Sequence, residues 1–237
     1  MKVYGLAPFP AALALLLAGC GCGDDRAPEP RPSASDVLAQ PPAIPVAGPE
    51  VPVLALGDSL FAGYGLNDGE SYPARLEAAL RARGINARMT NAGVSGDTTA
   101  GGLQRLGFTL DSMAKPPALA VISLGGNDML RGLPPEQTRA NLDAILTELG
   151  RRKVRVVLMG MLAPPNLGPD FRGQFDPIFP TLAKEHGAVL VPFFLQSVID
   201  RPDLIQQDRI HPTAPGIEAI VAETVDAVAG AVPQKST

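Results

Sequence analysis

The sequence predicts an α/β domain in three layers, with a five-stranded parallel sheet between two sets of helices. Three observations point there. From residue 51 onward, short apolar runs alternate with segments of helical period. The runs are apolar on both faces, as strands are when crossover helices cover both sides of a parallel sheet. A chain of 237 residues that is 46% hydrophobic has material for one core plus a tail, and hardly for two domains.

The elements follow in order. Val51 to Leu56 is a buried strand ending at Gly57. Tyr72 to Arg83 places Leu76, Ala79 and Leu80 at helical spacing between Arg and Glu, and Gly84 closes the helix. Asn86 to Asn91 forms a second strand. Thr98 to Met113 is helical, although Gly101 and Gly102 weaken its start. Ala118 to Leu124 is the clearest strand of all. Pro135 to Leu149 is a helix with Leu142, Ile145, Leu146 and Leu149 on one face. Val154 to Met159 is the fourth strand, Phe175 to Glu185 a helix and Ala188 to Val191 a short fifth strand. Ala214 to Ala229 closes the domain as a helix, with Ile217, Ile220, Val221, Val225 and Val228 inward.

The first fifty residues have a different character. Lys2 precedes an apolar run from Ala11 to Ala18 that is too short to span a bilayer, the pattern of a secretory signal. It ends in Leu17-Ala18-Gly19-Cys20, which resembles the lipobox of bacterial lipoproteins and implies lipidation at Cys20. The alternative is a simple signal cut near Ala18-Gly19, with Cys20 and Cys22 paired or free. Gly21 lacks the acidic character of an inner-membrane retention signal. Pro28, Pro30, Pro32, Pro41, Pro42, Pro45 and Pro49 then block helix and ladder alike and favour an extended tether. The expected organisation is a signal over 1–19, anchor and linker over 20–50, the domain over 51–231 and a tail over 232–237. An exported, membrane-anchored lipoprotein facing the periplasm or the cell exterior is the expected location.

Composition removes several function classes. The net charge is −4 and no block of Lys or Arg occurs, which argues against a nucleic-acid partner. Two Cys and two His cannot close a four-ligand zinc site without carboxylates, so neither a metal nor another cofactor is expected. No Gly-x-Gly-x-x-Gly or phosphate loop follows a strand.

In parallel sheets, sites form in the loops at the carboxyl ends of strands. Four such loops carry chemistry: Gly57-Asp58-Ser59-Leu60, Asn91 to Thr98, Gly125-Gly126-Asn127-Asp128, and Asp208-Arg209-Ile210-His211-Pro212. Each has an ordinary reading alone. Ser59 suits a helix N-cap, Asn127 a turn, and Asp208 with His211 a polar turn before a helix. Together on one rim they supply a hydroxyl, a carboxamide, glycine amides, an imidazole and a carboxylate, the parts acyl transfer needs.

Those four blocks, with Ala62-Gly63-Tyr64, Gly102-Leu103, Arg105-Leu106 and Arg131-Gly132 around them, resemble the GDSL/SGNH hydrolases. In particular they resemble the bacterial thioesterase/lysophospholipase-like esterases, also called arylesterases. The resemblance runs from about Val51 to the last helix. It implies the flavodoxin-like SGNH fold and a monomeric serine esterase acting on small acyl esters through an acyl-enzyme. By matching position it implies Ser59 as nucleophile, His211 as general base and Asp208 as its orienting carboxylate. Ser59 N–H, Gly96 N–H and the Asn127 side chain would form the oxyanion hole. A carbohydrate O-deacetylase and a non-catalytic glycan- or lipid-binding lipoprotein remain as alternatives. Gly93-Val94-Ser95-Gly96-Asp97 fails the Gly-x-Ser-x-Gly elbow at its last position, which disfavours an α/β-hydrolase.

Other residues have quieter expected roles. Asp58 is a helix-start residue, His186 a surface residue at a helix C-terminus, and Ser95 and Ser123 are structural. Met159, Met161, Leu162, Pro164, Pro165, Phe193 and Phe194 line either an acyl pocket or the core. Residues 128–134 are a candidate flap over the site.

Overall fold

Five parallel strands run in the order β2-β1-β3-β4-β5 in the computed structural model, which describes residues 45–233. The leader, Cys20 and most of the tether lie outside the described residues. The strands are β1 (Val51–Gly57), β2 (Ala87–Gly93), β3 (Leu119–Ser123), β4 (Arg155–Met159) and β5 (Val189–Val191). The order places the reversal of winding between β1 and β3, where open α/β sheets leave a crevice at their carboxyl ends.

The runs read as buried strands are buried. Val53 to Leu56 and all of β3 are shut off from solvent. β2 is an edge strand and alternates instead, with Ala87 inward and Arg88 outward. It also extends beyond its expected end, so Asn91, Ala92 and Gly93 belong to the ladder. Gly57 pairs with Gly93 on one side and with Ser123 on the other. That register brings three chain ends level, and the loops that follow them start side by side.

Helices cover both faces. On one, α2 (Tyr72–Ala82) packs against α8 (Ala214–Ala231). Tyr72 Oη and Thr224 Oγ1 join them by a buried hydrogen bond of 2.8 Å. On the other, α3 (Thr99–Ser112) packs on α5 (Pro135–Arg151), and α5 on α7 (Ile178–His186). The Pro135, Thr99 and Ala214 starts and the inward faces of α5 and α8 agree with the sequence pattern within one to two residues at the ends.

Three elements differ from expectation. The segment read as one helix from Phe175 is two: α6 (Gly168–Phe175) and α7, broken at Asp176-Pro177. Proline there has no N–H to continue the ladder, while Phe171 stacks on Phe175 at 5.5 Å and Phe175 meets Phe179 edge-on across the break at 5.6 Å. Two single-turn helices occupy segments expected as loops, α1 (Ser59–Ala62) and α4 (Gly126–Leu130). Both begin right after a central strand, and both carry a candidate site residue in their first turn. Such turns are too short to show a period in the sequence.

Candidate active site

Ser59 owes its place to tight packing beneath it. It is the first residue of α1, whose N-cap is Asp58; the Asp58 Oδ1 atom accepts the Leu60 N–H at 3.0 Å. Two residues further on, the fully buried Phe61 ring stacks on Tyr72 at 5.1 Å and meets Phe194 edge-on at 5.7 Å. Gly93 lets β2 approach that helix, because a Cβ there would overlap the backbone of Phe61 and Ala62. Asn91 secures the contact by donating from Nδ2 to Phe61 O at 2.8 Å. The nucleophile candidate therefore stands on a rigid base.

His211 reaches it from the loop before α8. Its Nε2 lies 2.8 Å from Ser59 Oγ and its Nδ1 2.6 Å from Asp208 Oδ2. The other carboxylate oxygen, Oδ1, accepts the N–H groups of Ile210 and His211 at 2.9 and 3.0 Å. Those backbone donors and the imidazole hold the Asp208 carboxyl down at about 2. The turn needs Arg209 in left-handed geometry at φ 61°, uncommon for a residue with a side chain. Three residues separated by up to 152 positions thus form one hydrogen-bonded chain.

The oxyanion candidates lie beside it. The Ser59 N–H, in the first turn of α1, and the Gly96 N–H have no acceptor among the described residues. Gly96 has φ +83°, a conformation that glycine adopts freely, and its carbonyl accepts from Arg131 Nη2 at 2.6 Å. Asn127, in the first turn of α4, differs. Its Nδ2 donates to Asp97 O at 2.9 Å and to Asp58 Oδ2 at 3.2 Å, so both its hydrogens are engaged. Asp58 is more than a helix start. It is 2% exposed, and burial pushes its carboxyl up to about 6 against the pull of the Leu60 N–H. The Asn127 carboxamide sits between a backbone carbonyl and a carboxyl that ionises reluctantly.

Arg105 braces this arrangement. Its Nε donates to Asp97 Oδ2 at 2.6 Å and its Nη2 to Gly57 O at 2.9 Å, tying the second loop to the end of β1. Asp128, 1% exposed, accepts from Thr99 N at 2.8 Å, Thr99 Oγ1 at 2.5 Å and Thr138 Oγ1 at 3.3 Å. With Arg131 on Gly96, these bonds anchor both the start and the middle of the candidate flap over 128–134. Sequence reasoning missed Asp97 O, the second oxygen of Asp58 and the brace by Arg105. Only the place of Arg105 within the second block hinted at its importance.

The remaining candidates separate by burial. Met159, Met161 and Phe194 belong to the core, whereas Leu162 is exposed and Pro164 and Pro165 face solvent. Ser95 is exposed on the rim, and Ser123 is buried with no partner for its hydroxyl among the described residues. His186 ends α7 as expected and bonds Asp143 Oδ1 at 2.7 Å, far from the other imidazole in the fold. Four of the exposed large apolar side chains, Val94, Leu130, Leu162 and Ile210, come from loops and the short helix α4 at the carboxyl ends of the strands, the same end as Ser59.

Comparison with known proteins finds relatives in both sequence and fold. Residues 55–219 match the GDSL-like Lipase/Acylhydrolase family. The chain is 39% identical over 173 residues to the Arylesterase of Vibrio mimicus, covering 73% of this chain and 85% of that one. It is 38% identical over 160 residues to the Thioesterase 1/protease 1/lysophospholipase L1 of Escherichia coli K12, covering 68% and 74%. Among solved structures, AlinE4, an SGNH-hydrolase family esterase, superposes with a TM-score of 0.68 at 61% identity. It covers 79% of this chain and 100% of its own.

Proposed function

The chain belongs to the GDSL-like lipase/acylhydrolase family and is a serine esterase, and on that premise we propose that Ser59 is its nucleophile, His211 its general base and Asp208 the carboxylate that orients the base. The observation that carries this reading is the unbroken pair of hydrogen bonds from Ser59 Oγ through the imidazole to Asp208, 2.8 and 2.6 Å long. A serine hydroxyl is a weak nucleophile near neutral pH, so attack requires a base that takes its proton as the bond forms. His211 Nε2 is in place for that transfer. Asp208 keeps the Nδ1 proton on the far side of the ring and stabilises the imidazolium that results.

Attack puts negative charge on the former carbonyl oxygen. The N–H groups of Ser59 and Gly96 meet that charge with no bond to break first. Asn127 joins them by sharing the N–H that it gives Asp58, the longer of its two bonds. The imidazolium then protonates the leaving group, and water activated by the same base frees the acid from Ser59. Asn127→Ala should lower kcat by about 10²-fold, with thermal unfolding showing a retained fold. An unchanged kcat would remove Asn127 from the oxyanion hole.

The substrate class follows from the rim. Apolar side chains around the mouth support acyl and aryl esters, with lysophospholipids and acyl thioesters as amphiphilic members of the same chemistry. A panel of p-nitrophenyl esters graded by acyl length, an acyl-CoA, a lysophospholipid and an acetylated sugar tests this. Hydrolysis of the esters in preference to the sugar is expected. Turnover of the sugar alone would favour an O-deacetylase.

The same proposal includes export and lipidation at Cys20, with residues 20–50 as the tether between membrane and domain. The Leu17-Ala18-Gly19-Cys20 sequence supports it. Cys20→Ser should shift the protein from the membrane fraction to the soluble one, read by fractionation and blotting. Continued membrane association would reject that anchor.

A further inference from the structure

The nucleophile loop and the base loop are tied together by more than the Ser59–His211 bond. Tyr64 follows the turn that closes α1, and both Gly63 N–H and Tyr64 N–H donate to Ser59 O at 3.2 Å. Its ring lies against the His211 imidazole, with centroids 4.4 Å apart and planes inclined by 32°. From the other side, Gln206 donates its side-chain nitrogen to two carbonyls, Tyr64 O at 2.8 Å and Pro212 O at 2.9 Å. Its backbone N–H donates to His211 O at 2.7 Å. Gly65, at φ +71°, leaves room for this crossing, since a Cβ there would collide with the Gln206 carboxamide. One side chain therefore staples the turn behind Ser59 to the turn that carries His211.

We propose that Tyr64 and Gln206 form a latch that positions His211 over Ser59, with the tyrosine ring favouring the charged form of the imidazole during the reaction. The proposal rests on the reading of Ser59, His211 and Asp208 as nucleophile, base and orienter. Tyr64 is 53% exposed, while the side chain of His211, against which its ring lies, is only 14% exposed. An aromatic face within about 6 Å of a cation attracts it. In the transition state the imidazole becomes that cation. An interaction stronger there than in the resting enzyme lowers the barrier and so appears in kcat. Gln206 acts through geometry, because a small displacement of the base is enough to slow proton transfer. Both are positioning residues, and neither needs to touch substrate.

The test compares Tyr64→Ala, Tyr64→Phe, Gln206→Ala and the double variant Tyr64→Ala/Gln206→Ala in the full chain. Steady-state hydrolysis of p-nitrophenyl butyrate is normalised by the burst of p-nitrophenol, which counts competent sites. Tyr64→Ala should lower kcat roughly tenfold with KM little changed, and Tyr64→Phe should restore most of the loss. Gln206→Ala should lower kcat by a similar factor. The double variant should lose less than the product of the single losses, as expected for parts of one device. A raised KM with unchanged kcat in Tyr64→Ala would make the ring a substrate contact and overturn the latch. So would a Tyr64→Phe variant as slow as Tyr64→Ala, or kcat unchanged in both single variants. Ser59→Ala, run alongside, separates the two failures. If it stays active the nucleophile reading falls and takes the latch with it. If it is inactive while Tyr64→Ala and Gln206→Ala run at the wild-type rate, the latch alone falls.

Discussion

Ser59→Ala is expected to lower turnover of p-nitrophenyl esters by roughly 10⁴-fold or more while leaving the fold intact. The hydroxyl is the group that forms the acyl-enzyme, and its Oγ sits 2.8 Å from the base that must take its proton. Little else depends on it. The N-cap of α1 comes from Asp58, and alanine is well suited to the first turn of a helix. The oxyanion donors survive, since Ser59 contributes its N–H through the backbone. Residual hydrolysis of up to about 10³–10⁴ over water is therefore still expected. Steady-state kinetics gives the loss, and the thermal midpoint shows that the protein is folded. Activity close to wild type would move the nucleophile elsewhere. Ser95 would then be the first residue to test, because it is exposed on the same rim, whereas Ser123 is sealed inside β3.

The loops that matter were legible because parallel strands buried on both faces announce themselves as apolar runs. β1, β3 and β4 read directly from Val53 to Leu56, Ala120 to Ile122 and Val157 to Met159, all shut off from solvent. Once their ends are known, the polar residues just beyond them must share a rim. What failed to show was structure whose cause lies far away in the chain. α6 contains Gly168, Pro169 and Gly173, a poor helical sequence in isolation. It forms because Phe171 and Phe175 stack within the aromatic row reaching α7, and because Asp176 Oδ1 accepts the Ala163 N–H at 2.8 Å. β2 ran on past Asn91 because Gly93 has to sit against α1. The polar wiring was equally hidden. Residue types told that a carboxamide and a carboxylate stand near the serine. They could not tell that Asn127 gives a hydrogen to Asp58, 69 positions earlier, or that Gln206 crosses to Tyr64, 142 positions earlier. Such pairings are fixed by tertiary placement, and no local pattern encodes them.

Asp208→Asn should cost about 10³–10⁴ in kcat, although it changes a single atom. The reason lies in how the loop holds the side chain. Oδ1 accepts two backbone N–H groups, from Ile210 and His211, so the variant amide must keep its oxygen on that side. Its nitrogen then faces His211 Nδ1, in the place of the oxygen now 2.6 Å away. A donor there forces Nδ1 to accept and puts the imidazole proton on Nε2, where it opposes the Ser59 hydroxyl and cannot remove its proton. The opposite amide orientation would set an NH₂ against two N–H donors and is unfavourable. The variant thus keeps its loop and loses its base. The pH dependence of stability supplies an independent check. A carboxyl held at about 2, below its ordinary 3.8, stabilises the fold above that ordinary value and withdraws the contribution as pH falls through about 2. Wild type should therefore lose stability over that acid window more steeply than Asp208→Asn, measured by urea unfolding at stepped pH. A loss of less than tenfold in kcat would mean that the imidazole finds its working tautomer without this carboxylate. Asp208 would then serve the loop alone.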